Sequence, residues 1–149
     1  MSAGGTTKVE RILEEKGRTV HTIEADRTVF EALEVMAEHE IGALIVLDEE
    51  QIVGVLTERD YARKVILAGL SSPRTEVRQV MASPVVYATL DETTEECMAV
   101  MADKHIRYLP VLDGEDRLVG VISIGDLVKA SIAEKEFVIS QLEKYITGY

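Results

Sequence analysis

The chain of 149 residues has one cysteine, no tryptophan and only 5% aromatic residues. A single thiol, Cys97, excludes an internal disulfide and favours a reducing compartment. With 46% of residues hydrophobic but so few rings, the core must be built from aliphatic and methionine side chains. Basic residues are also scarce, 16 against 27 acidic ones, for a formal net charge of -11. Nucleic acid is therefore excluded as a general partner, because its binding depends on neutralising phosphates, and any anion site must be local. The opening residues have no apolar signal-like stretch, and no run approaches the roughly 18 apolar residues of a membrane span. The expected location is the cytoplasm, with no membrane partner.

What is present is a repeat. The segment Asp26 to Asp60 recurs from Asp91 to Asp126, about 65 residues on, with one inserted residue at the hairpin. Matched identities include Thr28/Thr93, Glu31/Glu96, Met36/Met101, Leu44/Leu109, Val46/Val111, Gly54/Gly120 and Asp60/Asp126. Two copies predict one module with pseudo-two-fold symmetry, and a binding site on one copy is expected, approximately, on the other.

Each copy reads as strand, helix, strand, strand, helix. The short opening strands are expected at Val20 to Ile23 and Val85 to Ala88. Thr28 to Glu31 and Thr93 to Glu96 then carry the Thr-x-x-Glu pattern of a capping box, in which the hydroxyl caps the third helical amide and the carboxylate reaches back. The following helix, about Val29 to His39 in the first copy, places Val29, Ala32, Leu33, Met36 and Ala37 on one face. Two β-rich runs follow in each copy, Ala43 to Leu47 with Ile52 to Thr57 and Tyr108 to Leu112 with Leu118 to Ser123, each joined by an acidic turn. The closing helices begin at Thr57 and Ser123. The first is expected to run to Ala68, and the second as far as Tyr145 with a kink near Lys135. The fold class is α+β. The division is residues 1–17 for an N-terminal tail and helix, 18–69 for the first copy, 70–79 for a linker with a turn at Val77 to Met81, 80–133 for the second copy and 134–149 for a C-terminal helix. The apolar positions Ile132, Phe137, Leu142 and Ile146 of the helical tail that begins at Ile124 could seal the module or meet another subunit.

The chemistry-bearing phrase is Gly54-Val55-Leu56-Thr57-Glu58-Arg59-Asp60, repeated as Gly120-Val121-Ile122-Ser123-Ile124-Gly125-Asp126. A hydroxyl at a strand end and a carboxylate three residues later stand together at a helix N-terminus. The carboxylate can accept from two vicinal hydroxyls, and the free amides favour a phosphate nearby, so the arrangement suits a ribose. The same spacing is also that of a plain capping box, with Asp60 paired to Lys64 one turn on, and spacing alone leaves both readings open.

These two phrases, each preceded by an Ile-x-x-Leu-x-Val-x-Asp strand (Ile41 to Asp48 and Ile106 to Asp113), resemble a tandem pair of CBS domains, the arrangement called a Bateman module. The resemblance spans about Val20 to Ile132. It implies β-α-β-β-α units and clefts that take adenosine-containing ligands: AMP, ADP, ATP, NAD or S-adenosylmethionine. It carries ribose contacts onto Thr57 and Asp60 in one cleft and onto Ser123 and Asp126 in the other. Phosphate contacts fall on Arg107, from the opposite copy, and on Arg59, and adenine contacts on Thr22, Ile23 and Ala43. In the second cleft Gly42 stands where Arg107 would have its counterpart and Gly125 where Arg59 would. Both cations are missing, and that cleft is expected to be empty, weaker, or occupied by a less charged adenosine moiety.

The resemblance further implies a regulatory, non-catalytic module that senses cellular energy through an adenine nucleotide, requires no cofactor, forms a homodimer and acts on a separate protein target. The alternatives are a structural dimerisation module with empty clefts, or an accessory chain related to IMP dehydrogenase without its catalytic barrel. Cys97 lies on an apolar helix stripe and reads as core rather than nucleophile. His21, His39 and His105 lack the spacing of a zinc site, so no metal is expected. Arg63 and Lys64 read as a solvated face.

Overall fold

The computed structural model describes residues 7–147, with side chains through residue 144. The loose tail expected ahead of Thr7 and the side chain of Ile146 lie outside the described residues. The chain divides into two compact units, Val20–Val86 and a second made of Met1–Thr19 with Tyr87–Tyr149.

In the unit Val20–Val86, β1 (Thr22–Glu24), β2 (Ala43–Asp48) and β3 (Gln51–Thr57) form a sheet in the order β1-β2-β3. The β1/β2 pair is parallel and the β2/β3 pair antiparallel. The parallel pair is bridged by α2 (Val29–His39), whose start is fixed as the Thr-x-x-Glu pattern requires: the Glu31 amide donates to Thr28 Oγ1 at 3.1 Å and the Thr28 amide to Glu31 Oε1 at 3.0 Å. Val29, Ala32 and Met36 recur at helical spacing and are buried against Leu44, Val46 and Leu56 of the sheet. After β3 the α-helical turn α3 (Glu58–Tyr61) widens into a π-helical stretch, Ala62–Ile66. The last helix of the first copy therefore differs from the regular α-helix expected there.

The other unit repeats this plan with β4 (Ala88–Thr89), β5 (Tyr108–Leu112), β6 (Leu118–Ser123), α5 (Thr94–Lys104) and α6 (Ile124–Thr147). Even the irregularity is copied: the β2/β3 register shifts between Val46 and Leu47, and the β5/β6 register between Val111 and Leu112. The opening strands are later and shorter than expected, because pairing begins only where a partner exists, Thr22 opposite Ile45 and Ala88 opposite Val111. α6 runs without a break through Lys135, helical along the whole stretch expected. The carboxylate of Glu134 accepts from Thr94 Oγ1 at 3.1 Å and from the Thr7 amide, tying the helix to α5 and to the first described residue.

Each unit is completed by a segment that the chain delivers out of order. After a 3-10 turn at Ser72–Arg74, α4 (Val77–Val80) docks on the first copy, where the Val29 amide donates to Thr75 O at 2.8 Å, Val77 to Arg27 O at 2.8 Å and Arg78 to Ala25 O at 3.0 Å. In the second copy α1 (Val9–Lys16) takes the equivalent place. There Thr94 donates to Thr7 O at 2.9 Å, Val9 to Glu92 O at 2.8 Å and Glu10 to Leu90 O at 2.9 Å. Val77 and Val80 enter one core, and Val9, Ile12 and Leu13 are buried in the other.

The two glycines of the repeated phrase explain the close approach. A Cβ on Gly54 would lie 2.5 Å from Met81 Sδ and 3.0 Å from Ala82 O, and one on Gly120 would lie 2.7 Å from Leu13 Cδ2. The residues that dock there share a phrase of their own, Thr7-x-Val9-x-x-Ile12-Leu13 and Thr75-x-Val77-x-x-Val80-Met81.

Candidate functional site

The residues singled out by the repeated phrase sit where an antiparallel strand gives way to a helix. In the first copy Ala43 opens β2 directly opposite Thr57, which closes β3, and the Glu58 amide donates to Gly42 O at 3.0 Å. In the second copy Tyr108 lies opposite Ser123, and the Ile124 amide donates to Arg107 O at 2.9 Å. Gly42 and Arg107 are thus equivalent in backbone geometry as well as in sequence.

The hydroxyl and carboxylate of each phrase form a closed box. Asp60 Oδ2 accepts from the Thr57 amide and from Thr57 Oγ1, both at 3.0 Å, while the Asp60 amide donates to Thr57 Oγ1 at 3.1 Å. In the second copy Asp126 Oδ2 accepts from the Ser123 amide at 2.9 Å, and the Asp126 amide donates to Ser123 Oγ at 3.1 Å. The capping interpretation therefore holds as local structure. It does not use up the carboxylates, since each oxygen can accept more than one hydrogen bond.

In each copy a lysine takes part of that spare capacity. Lys64, one turn along the same helix, stands 3.2 Å from Asp60 Oδ1 and donates to Val80 O at 3.1 Å. Asp126 is met instead by Lys16, from α1: its Nζ donates to Asp126 Oδ2 at 2.7 Å and to Val121 O at 2.9 Å. Burial pushes the Asp126 carboxyl toward its neutral form, but the Lys16 ammonium and the Ser123 amide outweigh this, so its pKa lies below the ordinary aspartate value. Lys16 was not among the residues singled out from sequence. The signal that could have found it is the Thr-x-Val-x-x phrase shared by residues 7–13 and 75–81, which places α1 on the second copy.

The remaining candidates divide. Arg59 and Arg107 are exposed, and neither makes an ion pair among the described residues. Thr22 and Ile23 line a groove of about 530 Å³ with Glu24, Arg27, Glu31, Glu34, Val35 and Glu38. That groove lies between β1 and α2. It contains none of Ala43, Thr57, Arg59 or Asp60, and its four glutamates oppose an anionic ligand. Cys97 is fully buried, and burial, then the charges of Glu92 and Glu96, push its thiol up to about 11, which leaves it unreactive at neutral pH. His21 and His39 stack on each other with ring centroids 4.0 Å apart. Among the described residues no three His, Cys, Asp or Glu side chains gather as a metal site would need, and no helix is long and apolar enough to cross a membrane.

Comparison with known proteins bears on this arrangement. The family model for the CBS domain matches twice, at residues 16–66 and 77–133. A solved structure from Burkholderia ambifaria, described as a signal-transduction protein with CBS domains, is 49% identical. It covers 85% of this chain and 95% of its own, with a TM-score of 0.82. The mitochondrial CBS domain-containing protein CBSX3 of Arabidopsis thaliana is 32% identical over 96% of this chain and 73% of its own length. A match to inosine-5'-monophosphate dehydrogenase of Methanocaldococcus jannaschii, at 34% identity, takes in 22% of that enzyme. The CBS-CP12 protein of bloom-forming cyanobacteria, 29% identical with a TM-score of 0.75, is a hexamer.

Proposed function

Because this chain belongs to the CBS domain family and carries two copies of the domain, we infer that it is a non-catalytic regulatory module that binds an adenosine-containing ligand, AMP, ADP, ATP or NAD. The single observation that carries this reading is the recurrence, at the same strand-to-helix junction of both copies, of a hydroxyl and a carboxylate with acceptor capacity left over: Thr57 with Asp60, and Ser123 with Asp126. A vicinal diol is the ligand group that such a carboxylate matches. Exposed Arg59 supplies a cation beside Asp60 in the same phrase, and exposed Arg107 is proposed as a phosphate contact. Of the proposed adenine contacts, Ala43 lies opposite Thr57 at this junction and is assigned the adenine, whereas Thr22 and Ile23 line the separate acidic groove. A catalytic role has little support, since the one thiol is buried and the dehydrogenase match spans a minor part of that enzyme. Regulation would follow from linkage: the ligand shifts the module between two arrangements by as much as its affinities for them differ. We further read the chain as a cytoplasmic homodimer acting on a separate protein target. Sedimentation would show two copies, against the six of the cyanobacterial relative.

Thermal melting with each nucleotide tests the reading. A ligand well above its dissociation constant is expected to raise the midpoint by roughly a few degrees, because it binds the folded chain alone. No shift with AMP, ADP, ATP, NAD or S-adenosylmethionine would instead favour a structural module with empty clefts. Arg107→Ala is expected to weaken AMP by about tenfold, as loss of a charge-assisted hydrogen bond would, and adenosine hardly at all. Titration calorimetry with both ligands reads the difference, and equal losses would remove the phosphate role.

A further inference from the structure

In its repeated phrase the second copy has Gly125 where the first has Arg59, so the cation beside its carboxylate is missing. The structure provides one from elsewhere. Lys16 lies in the last turn of α1, whose Val9, Ile12 and Leu13 are buried in the same unit, and Gly17 ends the helix directly after it. The ammonium is therefore aimed by a docked helix, not carried on a loose tail, and it reaches Asp126 Oδ2 at 2.7 Å. The contact is partly shielded, with Lys16 and Asp126 side chains 38% and 22% exposed.

The first copy is built differently at each of these points. Its lysine, Lys64, comes from the helix that bears Asp60, is 46% exposed and stands farther off, at 3.2 Å. The carbonyl of Val55 is satisfied by the Ala82 amide at 2.8 Å, whereas that of its counterpart Val121 is satisfied by Lys16. α1 runs on to Lys16 while α4 stops at Val80, and this extra length carries the charge to the carboxylate.

We propose that Lys16 sets the ligand class of the second site: it holds the Ser123/Asp126 pair against uncharged nucleosides and admits a nucleotide whose phosphate takes over its ammonium. This rests on the reading of Asp126 as a diol acceptor. A vicinal diol that spans both carboxylate oxygens competes with the ammonium for Asp126 Oδ2, and an uncharged nucleoside gives the ammonium nothing in exchange. A nucleotide exchanges one ion pair for two matched contacts, diol on carboxylate and phosphate on ammonium. The second site is thus selective for charged ligands, contrary to the expectation of a less charged occupant drawn from its missing arginines.

Calorimetry on the full chain carrying Asp60→Asn, which removes the first site's carboxylate charge, isolates the second site. AMP is expected to bind at least about tenfold tighter than adenosine, the scale of one charge-assisted contact. Adding Lys16→Gln, which can still donate to Val121 O, is expected to bring the two affinities within about threefold by strengthening adenosine and weakening AMP. Lys16→Arg should restore the preference. NMR titration of the ligand-free chain supplies an independent readout, since the Asp126 carboxyl should titrate at higher pH in Lys16→Gln. A preference for AMP that survives Lys16→Gln overturns the proposal and leaves the adenosine reading intact. Failure of the Asp60→Asn chain to bind either ligand, when the unmodified chain binds, overturns it too. Failure of the unmodified chain to bind any nucleotide overturns both.

Discussion

Leu13→Ala is expected to lower the unfolding free energy by about 2–5 kcal/mol, read by denaturant unfolding, although Leu13 lies outside both copies as the repeat defines them. Its side chain is fully buried, and its methyl groups occupy the space over Gly120 where a Cβ would come within 2.8 Å of them. Glycine offers no side chain to move into the vacated volume, and β6 is held in register by β5, so the cavity would stay largely open. The loss should also release α1, because an eight-residue helix is not stable by itself and depends on its packed face. Hydrogen exchange at the Val9 and Glu10 amides, which bond to Glu92 and Leu90, should accelerate together. Met81→Ala, at the equivalent place over Gly54, should cost less, since Met81 is only partly buried and the Ala82 to Val55 backbone pair remains. A cost below about 1 kcal/mol for Leu13→Ala would show that α1 is an accessory and not part of the second unit's core.

This exchange of segments marks where the sequence is legible and where it is not. The repeated elements were readable because each is specified locally. Thr28 and Glu31 make a helix start whatever surrounds them, and the apolar runs Ala43 to Leu47 and Tyr108 to Leu112 lie between turn residues. The Thr57/Asp60 and Ser123/Asp126 pairs were readable for the same reason, being contacts between residues three apart. Lys16 and Asp126 are 110 positions apart, and nothing in the local pattern of either announces the other. Only the match of residues 7–13 to residues 75–81 relates α1 to α4, and a linker read as a linker conceals it. The π-helical stretch after Tyr61 escaped for a different reason, because Ala62 to Ile66 have no residue type that favours a five-residue repeat over a four-residue one.

The site residues follow the same division. Gly42 and Arg107 could be equated in sequence and are equated by their backbone hydrogen bonds to Glu58 and Ile124. The grouping of Thr22 and Ile23 with Ala43 could not be judged from residue types, because which face of a three-residue strand a ligand would use depends on what packs beside it. In the structure α2 lies there and brings Glu31, Glu34 and Glu38 to the groove that Thr22 and Ile23 line. An anionic ligand is better matched at the strand ends, where Asp60 offers its free acceptor capacity and Arg59 a cation.

Asp60→Ala is expected to weaken nucleotide binding by about 1.5–3 kcal/mol, some 10- to 150-fold, because a hydrogen bond to a charged acceptor is lost from the ligand. The same substitution removes the acceptor of the Thr57 amide and hydroxyl, and stability should fall by roughly 0.5–2 kcal/mol as for any lost helix cap. The two losses are separated by Asp60→Asn, whose amide oxygen still accepts from the Thr57 amide but carries no charge. Stability should return toward that of the unmodified chain while affinity stays low. Lys64 sharpens the distinction. It stands 3.2 Å from Asp60 Oδ1 and also holds Val80 O, so a diol arriving at Asp60 competes with it for that oxygen. Lys64→Met should therefore strengthen nucleoside binding by roughly twofold to fivefold, on the scale of an exposed ion pair, while loosening the Val80 end of α4. If Asp60 serves only to start its helix, Asp60→Ala will lower the denaturation midpoint and leave nucleotide affinity unchanged, and Lys64→Met will not alter binding. Calorimetry and denaturant unfolding on the same three variants decide between these outcomes.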